Sequence, residues 1–188
     1  RLGKLEVLRE AGMEPYPVSV PRTHEVREVT QDLIDSGAVV SISGRVVRLR
    51  DLGGVTFAVV RENSHEVQVM VTADRPEARP ELFTHTVDLA DTISVTGNVT
   101  RSRTGELTVH AASWVMASKA LTPPPDKFKG LTDADTRLRL RHMDLALNEG
   151  PTKMLKDRST AIWAMRNAFA QHDFIEVETP ILQPIHGG

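Results

Sequence analysis

The chain lacks cysteine altogether, and its 188 residues contain no apolar run long enough to cross a membrane. The missing thiols exclude disulfides, iron–sulfur clusters, thiolate zinc sites and a cysteine nucleophile. A membrane-spanning helix needs roughly 20 consecutive apolar residues, and charges at Arg1, Lys4 and Glu6 interrupt the amino terminus where a signal peptide would be apolar. These absences predict a cytoplasmic segment that makes no membrane contact and relies on oxygen and nitrogen chemistry.

Metal and nucleotide-loop signatures are missing as well. None of the seven histidines has another histidine four residues away, the spacing that places two metal ligands on one face of a helix. The glycine pairs at 53–54 and 187–188 lack the spacing of a phosphate-binding loop. We therefore expect no metal site.

An excess of one sign of charge is also missing. The 23 Lys and Arg residues nearly balance the 25 Asp and Glu residues and give a net charge of -2. This balance excludes an indiscriminately basic coat protein for nucleic acid but allows a local basic groove. The length suits one small domain and part of another. Because the chain starts at Arg1 rather than Met and ends in two glycines soon after a predicted strand, we expect both ends to be cut.

The amino-terminal part of the chain divides into a helical extension and a β domain. Residues 1–37 are predicted to form helices over 2–11 and after Thr23. Over 38–117 the hydrophobic period changes to two and predicts three strands, a short helical connection and two more strands. This is the order of an OB-fold, and a generic five-stranded barrel is the alternative.

The carboxyl-terminal part begins with a stiff linker over 118–130, which contains three successive prolines. Residues 131–188 then return to helical spacing, with a predicted break at the Gly-Pro pair 150–151. A long amphipathic helix over 152–171 and a short strand over 174–177, ended by a proline, complete the prediction.

Basic, aromatic and amide side chains gather on the first three predicted strands. Arg45, Arg48 and Arg50 lie on the first strand, Phe57 on the second and Gln68 on the third. Guanidinium groups attract a phosphate backbone, an aromatic ring stacks on an unpaired base, and an amide hydrogen-bonds to a base edge. Together these residues predict a reader of single-stranded RNA; solvated surface arginines and a core phenylalanine are the alternative.

Several separated segments resemble bacterial class II lysyl-tRNA synthetases, in the order and at about the spacing of that family. The resemblance covers essentially the whole chain, and the last segment is similar to the first signature motif of class II synthetases. The turn at 53–57 also resembles actinobacterial members, including those fused behind a membrane lysyl-transferase domain. The segments are TGELTVH (104–110), KAL (119–121), PPDKFKGL (124–131), RLR (137–139), DL (144–145) and FIEVETP (174–180).

The resemblance implies an all-β OB-fold barrel with N-terminal helices, followed by the α+β start of a truncated class II synthetase catalytic domain. It implies that the barrel binds the anticodon of tRNA(Lys). Phe57 would stack on an anticodon base, Gln68 and Glu106 would read base edges, and Arg45 would hold the loop near them. Pro180 would lie at the interface of a homodimer.

For the intact enzyme the resemblance implies a lysine-tRNA ligase, which joins lysine to ATP with magnesium and then transfers the lysyl group to tRNA. The second and third class II motifs, which bind ATP, would lie beyond Gly188. We therefore expect that this chain has no catalytic residue, binds neither ATP nor magnesium, and is inactive alone. An aspartyl- or asparaginyl-tRNA synthetase and a non-catalytic RNA-binding paralogue are the alternatives, and the linker motif favours the lysyl enzyme.

Overall fold

The computed structural model describes residues 1–124 and 131–182. They belong to two compact units, Arg1–Pro124 and Pro125–Gly188. The predicted linker falls partly outside the described residues. Within the described residues, no helix is both long enough and apolar enough to span a membrane.

The amino-terminal unit is built on a closed barrel of five strands. Around the barrel the strands follow the order β1-β2-β3-β5-β4, in which the β3–β5 pair is parallel and the other pairs are antiparallel. Three strands, a helical connection and two more strands confirm the predicted OB-fold. The strands are β1 (Val39–Asp51), β2 (Val55–Glu62), β3 (His65–Thr72), β4 (Thr92–Arg101) and β5 (Leu107–Ser118).

Short helices precede the barrel and connect its third and fourth strands. The single helix expected after Thr23 is interrupted, because Val29 and Thr30 adopt extended backbone angles. Both residues are β-branched, and β-branching lowers helix propensity. The helices of this unit are α1 (Leu2–Glu10), α2 (Gln31–Asp35) and α3 (Pro80–Thr86), with one-turn 3-10 helices at Val26–Glu28 and Pro76–Ala78.

The barrel core consists mainly of aliphatic side chains from the inward faces of the strands. Phe83 of α3 is fully buried and meets Trp114 of β5 edge-on, with ring centroids 5.0 Å apart. Leu8 of α1 and Met13 also belong to this cluster. Burial of these side chains therefore fixes both helices to the barrel.

Two glycines allow neighbouring strands to approach closely. A Cβ atom at Gly97 of β4 would lie 2.0 Å from the carbonyl oxygen of His110 on β5. A Cβ atom at Gly44 of β1 would lie 2.6 Å from the carbonyl oxygen of Arg61 on β2. Since the obstacle is backbone at both places, no larger residue fits without moving a strand.

A buried cluster of charges lies where the chain leaves β5. Lys119 is buried and donates to Asp88 (2.6 Å) and to the fully buried Asp91 (2.7 Å). Asp91 also accepts from the backbone N–H of Ala120 at 2.8 Å, and Lys4 of α1 donates to Asp88 at 2.8 Å. Burial raises the pKa of Asp88, but hydrogen bonds from the two lysines outweigh it and lower the pKa below its usual value. These contacts join α1, the segment before β4 and the exit of β5.

The carboxyl-terminal unit is helical in its described part, with helices α4 (Ala134–Arg139), α5 (Arg141–Leu147) and α6 (Glu149–Gln171). The predicted break at Gly150 and Pro151 is wrong, because both residues lie in the first turn of α6. Proline is tolerated there, since the first-turn N–H groups have no partner within the helix.

A buried carboxylate, that of Asp144, holds the helices of this unit together. It accepts hydrogen bonds from Arg137 Nε at 2.9 Å and Asn148 Nδ2 at 2.7 Å, and it pairs with Arg141. Burial raises the pKa of Asp144, but the hydrogen bonds from Asn148 and Arg137 outweigh it, and the pKa lies below its usual value. Asn148 also donates to the carbonyl of Leu131, which fixes the entry to α4.

The segment after α6 is irregular and exposed. The strand expected over 174–177 is absent from the described residues, where 174–180 carries no regular structure. A strand forms only by hydrogen bonding to a neighbour, and the described residues provide none there. Phe174 packs edge-on against Phe169 of α6 at 5.4 Å between ring centroids, and Pro180 is exposed.

Candidate nucleic-acid interface

A bulge in β1 turns three arginines to the same side of the barrel. The register shifts after Val46, because Val46 pairs with Val60 whereas Arg48 pairs with Val59. In a regular strand Arg45 would point away from Arg48 and Arg50, since successive side chains alternate between faces. The one extra residue reverses the alternation. All three arginines are therefore exposed on the outside of the barrel.

The strand register arranges the outward side chains of β1, β2, β3 and β5 in three rows that cross the strands. Neighbouring strands lie about 4.8 Å apart, and successive rows are separated by two residues or about 6.6 Å. We call this surface the outer face. Its first row is Arg50, Phe57, Met70 and His110; its second is Arg48, Val59, Gln68 and Thr108; its third is Arg45, Arg61 and Glu66.

The first row carries the aromatic side chain of the outer face. Phe57 is half-buried and lies outside the barrel core, which rules out the alternative of a core phenylalanine. Arg50 is its register partner on β1 and forms no side-chain hydrogen bond or ion pair with the residues that the structure describes. An accessible ring with a free guanidinium beside it can stack on an unpaired base and contact its phosphate.

His110 ends the first row with a neutral ring. It shares a hydrogen bond of 2.7 Å with the Thr72 hydroxyl. Burial, followed by the neighbouring Arg75 guanidinium, lowers the pKa of His110 below its usual value. Since histidine ordinarily titrates near pH 6.5, the lowered pKa makes the neutral form of this ring the main one at neutral pH.

The second row carries a polar pair at the point where β3 meets the loop before β5. Gln68 Nε2 donates to a carboxylate oxygen of Glu106 at 2.7 Å, and the Thr108 hydroxyl lies 2.9 Å from two acceptors, Gln68 Oε1 and the backbone carbonyl of Glu106. A carboxylate only accepts hydrogen bonds, so these contacts fix which end of the Gln68 amide faces Glu106. The second amide hydrogen of Gln68 and the other carboxylate oxygen of Glu106 have no partner among the described residues and can meet a ligand.

A tight turn between β4 and β5 places Glu106. Gly105 has a φ of 85°, in the region that favours glycine, and its N–H donates to the carbonyl of Ser102 at 2.8 Å. Glu106 then donates its backbone N–H to the Ser102 hydroxyl at 3.1 Å. In OB-folds this loop and the face of strands 2 and 3 are the surfaces that bind oligonucleotides.

The third row is dominated by charge. Glu66 accepts from Arg61 Nε at 2.8 Å and pairs with the Arg48 guanidinium of the second row. Arg45 is exposed and has no side-chain partner among the described residues. It pairs in register with Arg61 and so lies four residues along β2 from Phe57, which is about 13 Å.

The structure thus places Phe57 and Gln68 on adjoining rows, with Glu106 hydrogen-bonded to Gln68, and puts Arg45 two rows away from Phe57. Sequence reasoning missed the part that Thr108 plays in orienting Gln68 and the pairing of Glu66 with two arginines. The alternating pattern of β3 was the available signal, since it places Glu66 and Gln68 on one face. Within 1–124 and 131–182, no three histidine or acidic side chains are grouped so that they could hold a metal ion.

Comparison with known proteins gives matches to both units. Residues 40–117 match the family described as "OB-fold nucleic acid binding domain", and residues 133–188 match the family described as "tRNA synthetases class II (D, K and N)". The chain is also similar to proteins named "Lysylphosphatidylglycerol biosynthesis bifunctional protein LysX". The identity is 44% over 189 residues in Rhodococcus opacus, 43% over 192 residues in Mycolicibacterium vanbaalenii and 41% over 189 residues in Nocardia farcinica. Each comparison covers 100% of this chain but only 17% of the relative's length.

Proposed function

We propose that the chain belongs to the class II tRNA synthetases of the D, K and N group and that its outer face binds the anticodon of tRNA(Lys), since residues 40–117 match an OB-fold nucleic acid binding domain and residues 133–188 match that synthetase family. One observation carries this proposal. The hydrogen-bonded pair of Gln68 and Glu106 lies one row from the accessible ring of Phe57, on the side of the barrel that OB-folds use for oligonucleotides.

The free hydrogen-bonding groups of this pair suit a uracil. The unoccupied carboxylate oxygen of Glu106 accepts an N–H, and the second amide hydrogen of Gln68 donates to a carbonyl. Uracil presents an N–H between two carbonyls, so it matches this acceptor and donor in two orientations, whereas cytosine matches them only through its exocyclic amino group and ring nitrogen. The uridine-rich anticodon of tRNA(Lys) therefore fits, with one base stacked on Phe57 and a neighbouring base read by the pair.

Arginines on the same face complete the interface. Arg50 lies beside Phe57 and Arg45 lies two rows away, and both guanidinium groups are exposed. An anticodon loop that crosses the rows would bring a phosphate near each of them. These contacts position the RNA without reading its sequence, as backbone contacts generally do.

For the whole protein we propose a lysine-tRNA ligase that uses ATP and magnesium. The relatives bear a name that refers to lysylphosphatidylglycerol, and this favours a second candidate, a bifunctional protein that also serves lysylation of a lipid. In both cases lysine is the amino acid handled. Pyrophosphate exchange by the complete protein tests whether lysine is the amino acid that it activates, because lysine should support the exchange and aspartate or asparagine should not.

We also propose that the carboxyl-terminal unit pairs with a second copy of itself. Large apolar side chains are exposed on α6 and after it, including Trp163, Met165, Ile175 and Val177. The chain spans 17% of its relatives' length, so the rest of the synthetase domain and a second copy are the two candidates to cover this surface. An isologous contact around a two-fold axis buries such a surface in both copies at once, and Pro180 would set the direction of the chain there.

The binding experiment compares two anticodon stem-loops that differ only in the loop, one with uridines and one with cytidines. Fluorescence anisotropy of the 188-residue chain should show at least about fivefold tighter binding to the uridine loop, since one well-made base contact contributes about 1–3 kcal/mol. Equal affinity for the two loops, or no binding to either, would contradict the proposed function.

A further inference from the structure

One carboxylate on the outer face pairs with two of its four arginines. Arg45 and Arg61 are directly opposed in register, and like charges in that position repel each other. Glu66 lies on the other side of Arg61, accepts two hydrogen bonds from its guanidinium and pairs with Arg48 through its second oxygen. The group formed by Arg48, Arg61 and Glu66, which we call the arginine triad, therefore carries a net charge of +1 rather than +2.

The arginine triad contributes little to the stability of the barrel. Its side chains keep 57%, 35% and 27% of their exposure for Arg48, Arg61 and Glu66, and ion pairs that are this accessible contribute little net stability. The eight register pairs between β2 and β3 already hold that hairpin together. A purely structural role therefore does not explain why a carboxylate lies among arginines on this face.

The carboxylate is charged throughout the physiological range. Burial raises the pKa of Glu66, but the hydrogen bonds and charges of Arg61 and Arg48 outweigh it, and the pKa lies below its usual value. A phosphate that approaches the triad has to compete with this carboxylate for the same guanidinium donors. Arg45 and Arg50 have no such competitor among the described residues.

We propose that Glu66 is a specificity-determining residue that acts as a built-in counter-ion and reduces the attraction of the outer face for RNA phosphates. The inference rests on the proposed RNA binding. Phosphate attraction is the same for every RNA sequence, whereas contacts to base edges differ between sequences. Because Glu66 weakens the attraction for phosphates, binding depends more on the bases that Phe57, Gln68 and Glu106 contact.

The test replaces Glu66 by glutamine and measures the affinity for oligo(U) and oligo(C) across a salt series. Glu66→Gln should bind both oligomers more tightly, with a salt slope steeper by about 0.7, because the charge of the triad rises by one, from +1 to +2. The preference for oligo(U) over oligo(C) should fall. Glu6→Gln is the matched control, because it removes one exposed carboxylate from α1, and it should leave slope and preference unchanged.

A double variant guards against an indirect effect of the substitution. Glu66→Gln combined with Arg61→Gln restores the triad charge to +1, so its salt slope should return to that of the wild type. The inference would be overturned, and RNA binding left intact, if the wild type prefers oligo(U) and Glu66→Gln changes neither the salt slope nor the affinity. Weaker binding by Glu66→Gln would also overturn it, because the carboxylate would then position the arginines. A wild-type chain that binds neither oligomer would overturn both proposals.

Discussion

Replacing Glu106 by glutamine should weaken the discrimination between uridine and cytidine without unfolding the barrel. The Glu106 carboxylate is exposed, and it can only accept hydrogen bonds. Where it meets ring position N3 of a pyrimidine, it therefore favours the N–H of uracil over the bare nitrogen of cytosine. A glutamine amide in the same place can turn to accept or to donate, so it serves either base.

The size of the effect follows from the charge of the acceptor. A hydrogen bond to a charged group contributes about 1.5–3 kcal/mol, which corresponds to roughly 10- to 150-fold in affinity. We expect the preference for uridine to fall by about tenfold or more in Glu106→Gln. The free energy of unfolding should change by less than about 0.5 kcal/mol, because the side chain is at the surface.

The assay is a competition between stem-loops with uridine and cytidine loops, followed by fluorescence anisotropy. Glu10→Gln, an exposed position on α1, is the control for loss of one negative charge. An unchanged preference in Glu106→Gln would refute the assignment of a base-reading role to this residue. An equal fall in the control would show that overall charge, rather than the hydrogen bond, sets the preference.

Three further changes should have separate outcomes. Phe57→Ala should weaken binding of the uridine stem-loop by about 1–3 kcal/mol and leave the circular dichroism spectrum unchanged. Arg45→Ala should weaken the binding of all RNAs alike and reduce the salt slope by about 0.7. Identical binding profiles for the two variants would contradict their separate roles. Gly97→Ala should lower the free energy of unfolding by about 1–3 kcal/mol, because its Cβ meets the backbone of β5, while Gly3→Ala on open surface of α1 should not destabilise the chain in thermal denaturation. Pro180→Gly should raise the dimer dissociation constant of the complete protein about fivefold in sedimentation experiments, and a complete protein that is monomeric would remove the dimer proposal.

The strands of the barrel could be predicted because the signals that mark them lie within short stretches of sequence. Alternation of apolar and polar residues marks all five strands, and the glycines between β1 and β2 and before Glu106 mark two of the turns. The β1 bulge was not predictable, since it depends on how β1 crosses from β4 to β2. Yet the bulge decides that Arg45 shares a face with Arg48 and Arg50.

The candidate site was predictable in its residues but not in their pairing. Gln68 follows from the alternation of β3, whereas the outward position of Phe57 does not follow from that of β2, where the apolar Val55 and Val59 share its face. The roles of Phe57 and Glu106 come from the family resemblance. The hydrogen bond between Gln68 and Glu106 joins residues 38 positions apart and depends on the parallel pairing of β3 with β5. Such nonlocal contacts leave no periodic signal in a sequence.

In the described part of the carboxyl-terminal unit, residue preferences predicted two features that the structure does not have. Gly150 and Pro151 read as a helix break, yet they lie in the first turn of α6, where proline costs no hydrogen bond. The expected strand over 174–177 has the right residue types, but strand formation requires a neighbour to bond with. Residue preference alone therefore could not decide either element.

The most direct test of RNA binding by the outer face is nuclear magnetic resonance of the 188-residue chain during titration with a uridine-loop stem-loop. The account predicts that the largest shifts of amide signals fall on β2, β3 and the loop before β5, with Phe57, Gln68 and Glu106 among them. The side chain of Gln68 should also shift, because its second amide hydrogen gains a partner. Shifts centred on α1 or α6, with the outer face unchanged, would contradict the central claim.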